Sequence, residues 1–264
     1  MNTWVLLERA ENLLPRVYQL VDTPQLAMLF DKTELAPYAG QSPVLVTCGE
    51  RSDLLKAVRQ SPKDWPGLIL QSDQPTAVVL AHLRQIMFVH FDGARRGVLR
   101  YSHPVTASYF FPVCGAHQLK SWLGPVTRLS WYGGTWADRA SNTSAWKTLE
   151  NPKANNAQAF ASDPVLDTDQ QQALRCQQLD HLLYLWWFSH QDLCFKRSQQ
   201  WLDEGLRLGF DEACSLERYL TLRSVYPASD LPGALPEGSD ESRFACLLDH
   251  LQKQPLGQDS LDVL

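Results

Sequence analysis

Residues 68–112 constrain this chain most, because they set out strand, helix, strand, turn, strand and helix with almost nothing between them. Leu68-Ile69-Leu70 is an apolar run long enough for a buried strand. Ser72 or Asp73 then caps a helix with Pro75 in its first turn, where a missing N–H costs nothing. Val78, Val79, Ala81, Leu83 and Ile86 form its apolar side. Met87 to Phe91 reads as a second strand, ended by the turn pair Asp92-Gly93. Arg95-Arg96 cross the turn, and Gly97 to Tyr101 reads as the partner strand. Ser102-His103-Pro104 opens another amphipathic helix through Val105, Tyr109 and Phe110.

The alternation extends towards the amino terminus. Trp4 to Leu7 reads as a short strand or the start of an ordered arm. Val17 to Val21 reads as a strand, Gln25 to Phe30 as a short helix, and Val44 to Cys48 as a third apolar strand. Ser52-Asp53 caps a helix through Leu54, Leu55, Ala57 and Val58. Recurring strand–helix order predicts helices packed on a sheet, and the hairpin turn at Asp92-Gly93 makes that sheet mixed. Val126 to Trp131 alternates like an edge strand and stops at Gly133-Gly134. Residues 137–166 are polar, with Asn142, Asn151, Asn155, Asn156, Pro152 and Pro164, and read as a linker with a mobile segment.

The second half reads as helical. Thr168-Asp169-Gln170-Gln171 is a capping-box signature with Thr168 as N-cap. Its helix runs to about Phe188; a second covers Trp201 to Leu208 with Gly209 as its cap. Asp211 caps a third helix carrying Leu216, Tyr219, Leu220 and Leu222. Ser239 caps a fourth with Phe244, Leu247, Leu248 and Leu251 on one face, and the last nine residues read as frayed. The expected class is an α/β (α+β) lobe with a mixed sheet over 1–140, a linker over 141–166 and an all-α lobe over 167–264.

Charge and composition narrow the partners. A net charge of -5 argues against nucleic acid, which needs a basic face. Residues 1–150 hold 15 Lys+Arg and 12 Asp+Glu, whereas residues 151–264 hold 9 and 17, so the halves carry net charges of +3 and -8. That split fits two surfaces with different partners or unevenly solvated faces. Cys48, Cys114, Cys176, Cys194, Cys214 and Cys246 are widely spaced and read as reduced, buried thiols of a cytoplasmic protein. The first residues lack the pattern of a signal peptide. The longest apolar run, Leu182 to Phe188, is far short of the roughly 20 residues of a membrane span.

Catalytic signatures are thin: the chain has no G-x-S-x-G, H-E-x-x-H, phosphate loop or G-x-G-x-x-G. His82, His90 and His103 are the histidines that would have to converge for an acid–base or metal site. Arg100 has two readings: a planar fork for a partner carboxylate, or a pair within the fold. The run Leu182 to Phe188 is apolar all round a helix, which fits either an enclosed core helix or an aromatic docking patch.

The order from the apolar strand and Gln71-Ser72-Asp73, through His82-Leu83-Arg84, to Arg100-Tyr101-Ser102-His103-Pro104, followed by a helical half, resembles the adaptor (chaperone) family of bacterial type VI secretion systems. The likeness extends over about residues 15–225; the position before Pro104, commonly acidic in that family, is His103 here. The resemblance implies a cytoplasmic binding protein, not an enzyme, with no cofactor and no metal. Its expected partners are an effector toxin and the trimeric secretion spike, with no nucleic acid and no membrane insertion. The amino-terminal lobe is expected to engage the spike and the helical lobe the effector. Candidate partner-binding residues are Arg100, Tyr101, Trp131, Trp186, Trp187 and Trp201. A small hydrolase or transferase with a site in the α/β lobe, and a toxin-binding immunity protein, remain open on the residues alone.

Overall fold

A computed structural model describes residues 1–49, 51–93, 95–151, 154 and 162–253. The chain divides into two compact units, Met1–Gln178 and Leu179–Leu264. The amino-terminal region is a sheet with helices on it, and the described residues from 168 onward are helical without strands.

The amino-terminal elements run in order β1 (Asn2–Leu7), α1 (Leu13–Leu20), β2 (Leu26–Met28), β3 (Val44–Cys48), α2 (Asp53–Gln60), β4 (Gly67–Ser72), α3 (Thr76–Gln85), β5 (Phe88–Phe91), β6 (Arg95–Val98), α4 (Pro104–Val113), α5 (Ala116–Leu123), β7 (Arg128–Gly133), α6 (Trp136–Ala140) and β8 (Ala145–Glu150). A six-stranded sheet has the order β2-β3-β1-β4-β7-β8, and β5-β6 form a separate ribbon. All these ladders are antiparallel; the parallel pairing among the described residues is the bridge between His90 and Val165.

The first residues are the centre of the sheet rather than an arm. Trp4 faces Thr47 on β3 and Leu70 on β4. Alternation along β1 sends Trp4 and Leu6 into one apolar cluster and Val5 and Leu7 into another. The first cluster adds Leu68, Leu70, Leu129 and Trp131 to Val79 and Leu83 of α3 and Phe110 of α4. The second packs Val44, Val46 and Ile69 against Leu13 and Val17 of α1 and Leu54, Leu55 and Val58 of α2. Strands β1, β3 and β4 are therefore buried between two helical layers, which explains why they read as unbroken apolar runs.

Several local expectations are corrected. Residues 17–21, expected as a strand, belong mostly to α1, because Leu13, Val17 and Leu20 recur at helical spacing. Residues 25–30, expected as a helix, hold β2; Leu26 and Met28 pack on the second cluster and Ala27 on the first, a period of two. Arg95 and Arg96 do not cross the turn but begin β6. Pro75 is the N-cap of α3 rather than a first-turn residue, and Ser72 Oγ instead accepts from Gln74 N and donates to the Pro125 carbonyl. β7 is not an edge: β8, inside the segment expected to link, pairs along its other side. Arg128–Glu150, Ser130–Thr148 and Tyr132–Trp146 make three cross-strand pairs there, a polar face that conceals a strand from apolar patterning. Within the segment 137–166, expected to link and to hold a mobile part, residues 152–153 and 155–161 lie outside the described residues, as does the tail expected to fray.

The helices that follow are α7 (Thr168–Phe188), α8 (Phe195–Arg207), α9 (Ala213–Val225) and α10 (Asp240–Gln252). The division between units falls within α7, after Gln178. The capping box of α7 sits one residue earlier than expected: Gln170 N donates to Asp167 Oδ1 and Asp167 N donates to Gln170 Oε1. α8 begins at Phe195, six residues before the expected Trp201. Gly209 closes it at φ +87°, with its N–H on Leu206 O and that of Phe210 on Gly205 O, the paired bonds of a Schellman end. Glu212, not Asp211, is the N-cap of α9; Ser239 caps α10 as expected, through Ser242 N. Phe210 stacks on Phe244 at 4.4 Å in the core of this unit, and Leu248, expected on the buried face, is exposed.

His82 of α3 shows how tightly the first unit is keyed. Its Nε2 donates to the Trp122 carbonyl at 2.9 Å. Gly124 passes the ring at φ +51°, and a Cβ there would lie 2.3 Å from the imidazole. Burial holds this imidazole below the usual histidine range, although the carbonyl bond opposes the shift. The unfolded chain then takes up the proton first as pH falls through about 6.5, so the stability that neutral His82 contributes at pH 7.5 is lost on acidification. Urea unfolding at pH 7.5 and pH 5.5 is expected to show a smaller loss in His82→Gln than in the native chain. Equal losses would contradict this role for the buried imidazole.

Candidate functional site

Both stretches that carry the family likeness turn out to clasp the fold. Glu8 follows β1 and is buried, with its backbone N–H on the Pro66 carbonyl at 2.9 Å. Its carboxylate accepts from Arg100 Nη2 through one oxygen and from Ser102 Oγ through the other. Tyr101 is 2% exposed and donates its hydroxyl to the Leu83 carbonyl at 2.7 Å. Burial, then the negative charge of Glu8, pushes the Tyr101 phenol well above its usual range. His103 caps α4, its Nδ1 accepting from Val105 N, and Pro104 fills the first helical position. On α3, Arg84 donates to the Leu29 and Met28 carbonyls at 3.1 and 3.0 Å, tying the helix to the end of β2. Of the two readings of Arg100, the pair within the fold is present, while its side chain stays 58% exposed. Sequence reasoning missed Glu8; an acidic residue directly after the apolar run Trp4–Leu7 was the available signal.

The three central histidines have separate partners. His82 holds the Trp122 carbonyl, His103 caps a helix, and His90 Nε2 lies 3.8 Å from Asp163 Oδ2. Among the described residues no group of three or more His, Cys, Asp or Glu is placed to hold a metal ion. All six cysteines are free thiols; only Cys48 and Cys114 are buried, and Cys194, Cys214 and Cys246, expected inside, are exposed. Burial pushes the Cys114 thiol up to about 11. No described helix is long and apolar enough to cross a membrane.

The candidate binding residues divide by burial. Tyr101, Trp131 and Trp201 are core side chains, 1–2% exposed. Trp131 Nε1 donates to Ser108 Oγ at 2.9 Å. On α7, Trp186 is buried, donates to Thr221 Oγ1 at 3.0 Å and stacks on His190 at 4.2 Å. Trp187 is half-buried, donates to the Leu193 carbonyl at 2.7 Å and meets Phe195 edge-on. The helix is not enclosed on every side: Leu185 and Phe188 are 57% and 60% exposed.

The described residues of the first unit leave several surfaces open, and two bear on binding. One is the outer face of β7 and β8, where Arg59, Gln71, Arg128 and Trp146 line a cavity of about 370 Å³. Trp146 is the exposed tryptophan of the chain's described residues, and it comes from a strand that sequence reasoning did not find. The other is a groove of about 1020 Å³ between the β5–β6 ribbon and the first turns of α7. Val89, Leu99, Leu166 and Leu174 contribute its apolar lining, and Arg100, Gln171 and Arg175 its polar lining.

Residues 3–121, from β1 into α5, match the model of a family described as "Domain of unknown function (DUF4123)", which is associated in general with type VI secretion adaptors. The matched region contains Glu8 and both clasping stretches, and stops before β7, β8 and the helices from α7 onward. Neither the curated proteins nor the solved structures gave a match.

Proposed function

We propose that this chain is a cytoplasmic adaptor of type VI secretion that binds a toxic effector and brings it to the trimeric spike protein. The observation that carries the reading is the match of residues 3–121 to a family linked in general with such adaptors. The amino-terminal lobe engages the spike and the helical lobe selects the effector. The protein works by binding, without cofactor and without turnover. Leu185 and Phe188 support the effector side of this reading: they lie three residues apart, on one side of α7, and present apolar surface that an effector segment would remove from water.

The test is retention by the tagged full-length chain of a type VI spike protein and of a toxic effector from the same genome, each offered separately. Both are expected to be retained. Retention of neither, under conditions where all three proteins are folded, would contradict the adaptor reading.

A further inference from the structure

The β5–β6 ribbon has one covered edge and one open edge. Leu99 N donates to the Met87 carbonyl at 2.8 Å, which fixes the phase of the ladder. With Phe88 opposite Val98 and His90 opposite Arg96, the hydrogen-bonded pairs are Met87–Leu99, Val89–Gly97 and Phe91–Arg95. The backbone groups of Phe88 and His90 therefore point away from β6. Those of His90 are taken: its N–H binds the Pro164 carbonyl and its carbonyl accepts from Leu166 N, both at 2.8 Å. The backbone groups of Arg96 and Val98 point away from β5, and among the described residues no strand pairs with them.

That open edge borders the groove lined by Gly97, Val98, Leu174 and Arg175. An edge strand that presents unpaired N–H and C=O groups is a template for another extended chain. The charges around it set the kind of chain. Arg175 is exposed and makes no ion pair among the described residues. Arg95 is 72% exposed, with Asp92 at 3.5 Å and the Phe91 ring 6.0 Å from its guanidinium, while the Arg100 side chain is 58% exposed beside Glu8. Asp92 is the carboxylate that lines the groove, against Arg100 and Arg175.

We propose that the open edge of β6 is a strand-addition site for an extended acidic segment of a partner protein. The segment pairs with the outward backbone groups of Arg96 and Val98 and sets its carboxylates against Arg175 and the neighbouring arginines. The proposal rests on the adaptor reading only in assigning the occupant to another protein.

The test titrates the full-length chain into a fluorescein-labelled seven-residue peptide amide of alternating Val and Glu. Saturable binding is expected, with slowed amide exchange at Arg96 and Val98. Val98→Pro removes an outward N–H that the ladder to β5 does not use, so the fold is kept while strand addition is blocked. This variant should melt as the native chain does and bind at least about tenfold more weakly. Arg175→Glu should weaken binding by a similar factor, and the peptide with Lys in place of Glu should not bind. Unchanged affinity in Val98→Pro overturns the proposal, as does unchanged affinity in Arg175→Glu. A self-association of the chain that Val98→Pro abolishes would place a second copy on the edge and also overturn it. If the native chain retains spike and toxin but peptide binding is unchanged in Val98→Pro, strand addition fails and the adaptor reading stands. If the native chain retains neither protein but shows both peptide effects, the adaptor reading fails and the edge site stands.

Discussion

Replacing Trp131 with alanine is expected to destabilise the amino-terminal unit by about 3–5 kcal/mol, the usual cost of emptying an aromatic core site. For a unit of this size that is a fall of roughly 6–20 °C in melting temperature. Trp131 is 1% exposed and packs near Phe111 at 5.8 Å. Its indole N–H also binds Ser108 Oγ, which itself donates to the Pro104 carbonyl at 2.8 Å, so the substitution strips one bond from a buried chain. Trp146, 41% exposed on the neighbouring strand, is the matched control, and Trp146→Ala should shift melting by no more than a few degrees. Calorimetry on the two variants checks the contrast. Similar small shifts in both would mean that β7 is not the inner strand described.

The second large effect concerns α7. Replacing Leu185 and Phe188 together with glutamate is expected to leave melting nearly unchanged and to weaken effector binding by at least about 30-fold, equivalent to about 2 kcal/mol. Both side chains are more than half exposed, so the charges meet water in the free protein and an apolar partner in the complex. Trp186→Ala and Trp187→Ala should behave differently. Each indole N–H has a partner within its own unit and each ring packs on a neighbour, so each loss appears as stability. Titration calorimetry with the effector, beside thermal melting of all variants, separates the two roles. Undiminished binding by the double variant would remove this face of α7 from the effector site.

The contrast between tryptophans shows what the sequence could and could not convey. Apolar runs that become inner strands, such as Val44–Cys48 and Leu68–Leu70, were legible because burial on both faces leaves no polar residue to confuse them. β8 was not, because its side chains Trp146, Thr148 and Glu150 pair across an exposed face. α1 and β2 were exchanged because short apolar segments satisfy both periods, and only the sheet decides between them. The Arg100 motif was visible as a string of residues, but its partner Glu8 lies 92 positions away and no local pattern joins them. Of the two readings open for Arg100, a fork for a partner or a pair within the fold, the geometry gives the second, and it makes both central motifs clasps between β1, β2, α3 and α4. The surfaces that remain open, the β6 edge and the Leu185–Phe188 face, depend on what folding leaves uncovered, which composition does not record.

The measurement that bears most directly on the proposed function is the mass, by light scattering after size exclusion, of a mixture of the full-length chain with purified effector and purified spike trimer. The proposal that the two partners use separate lobes predicts a single species containing all three proteins. Mutually exclusive complexes, in which effector and spike displace each other from the chain, would contradict it, as would elution of the chain alone.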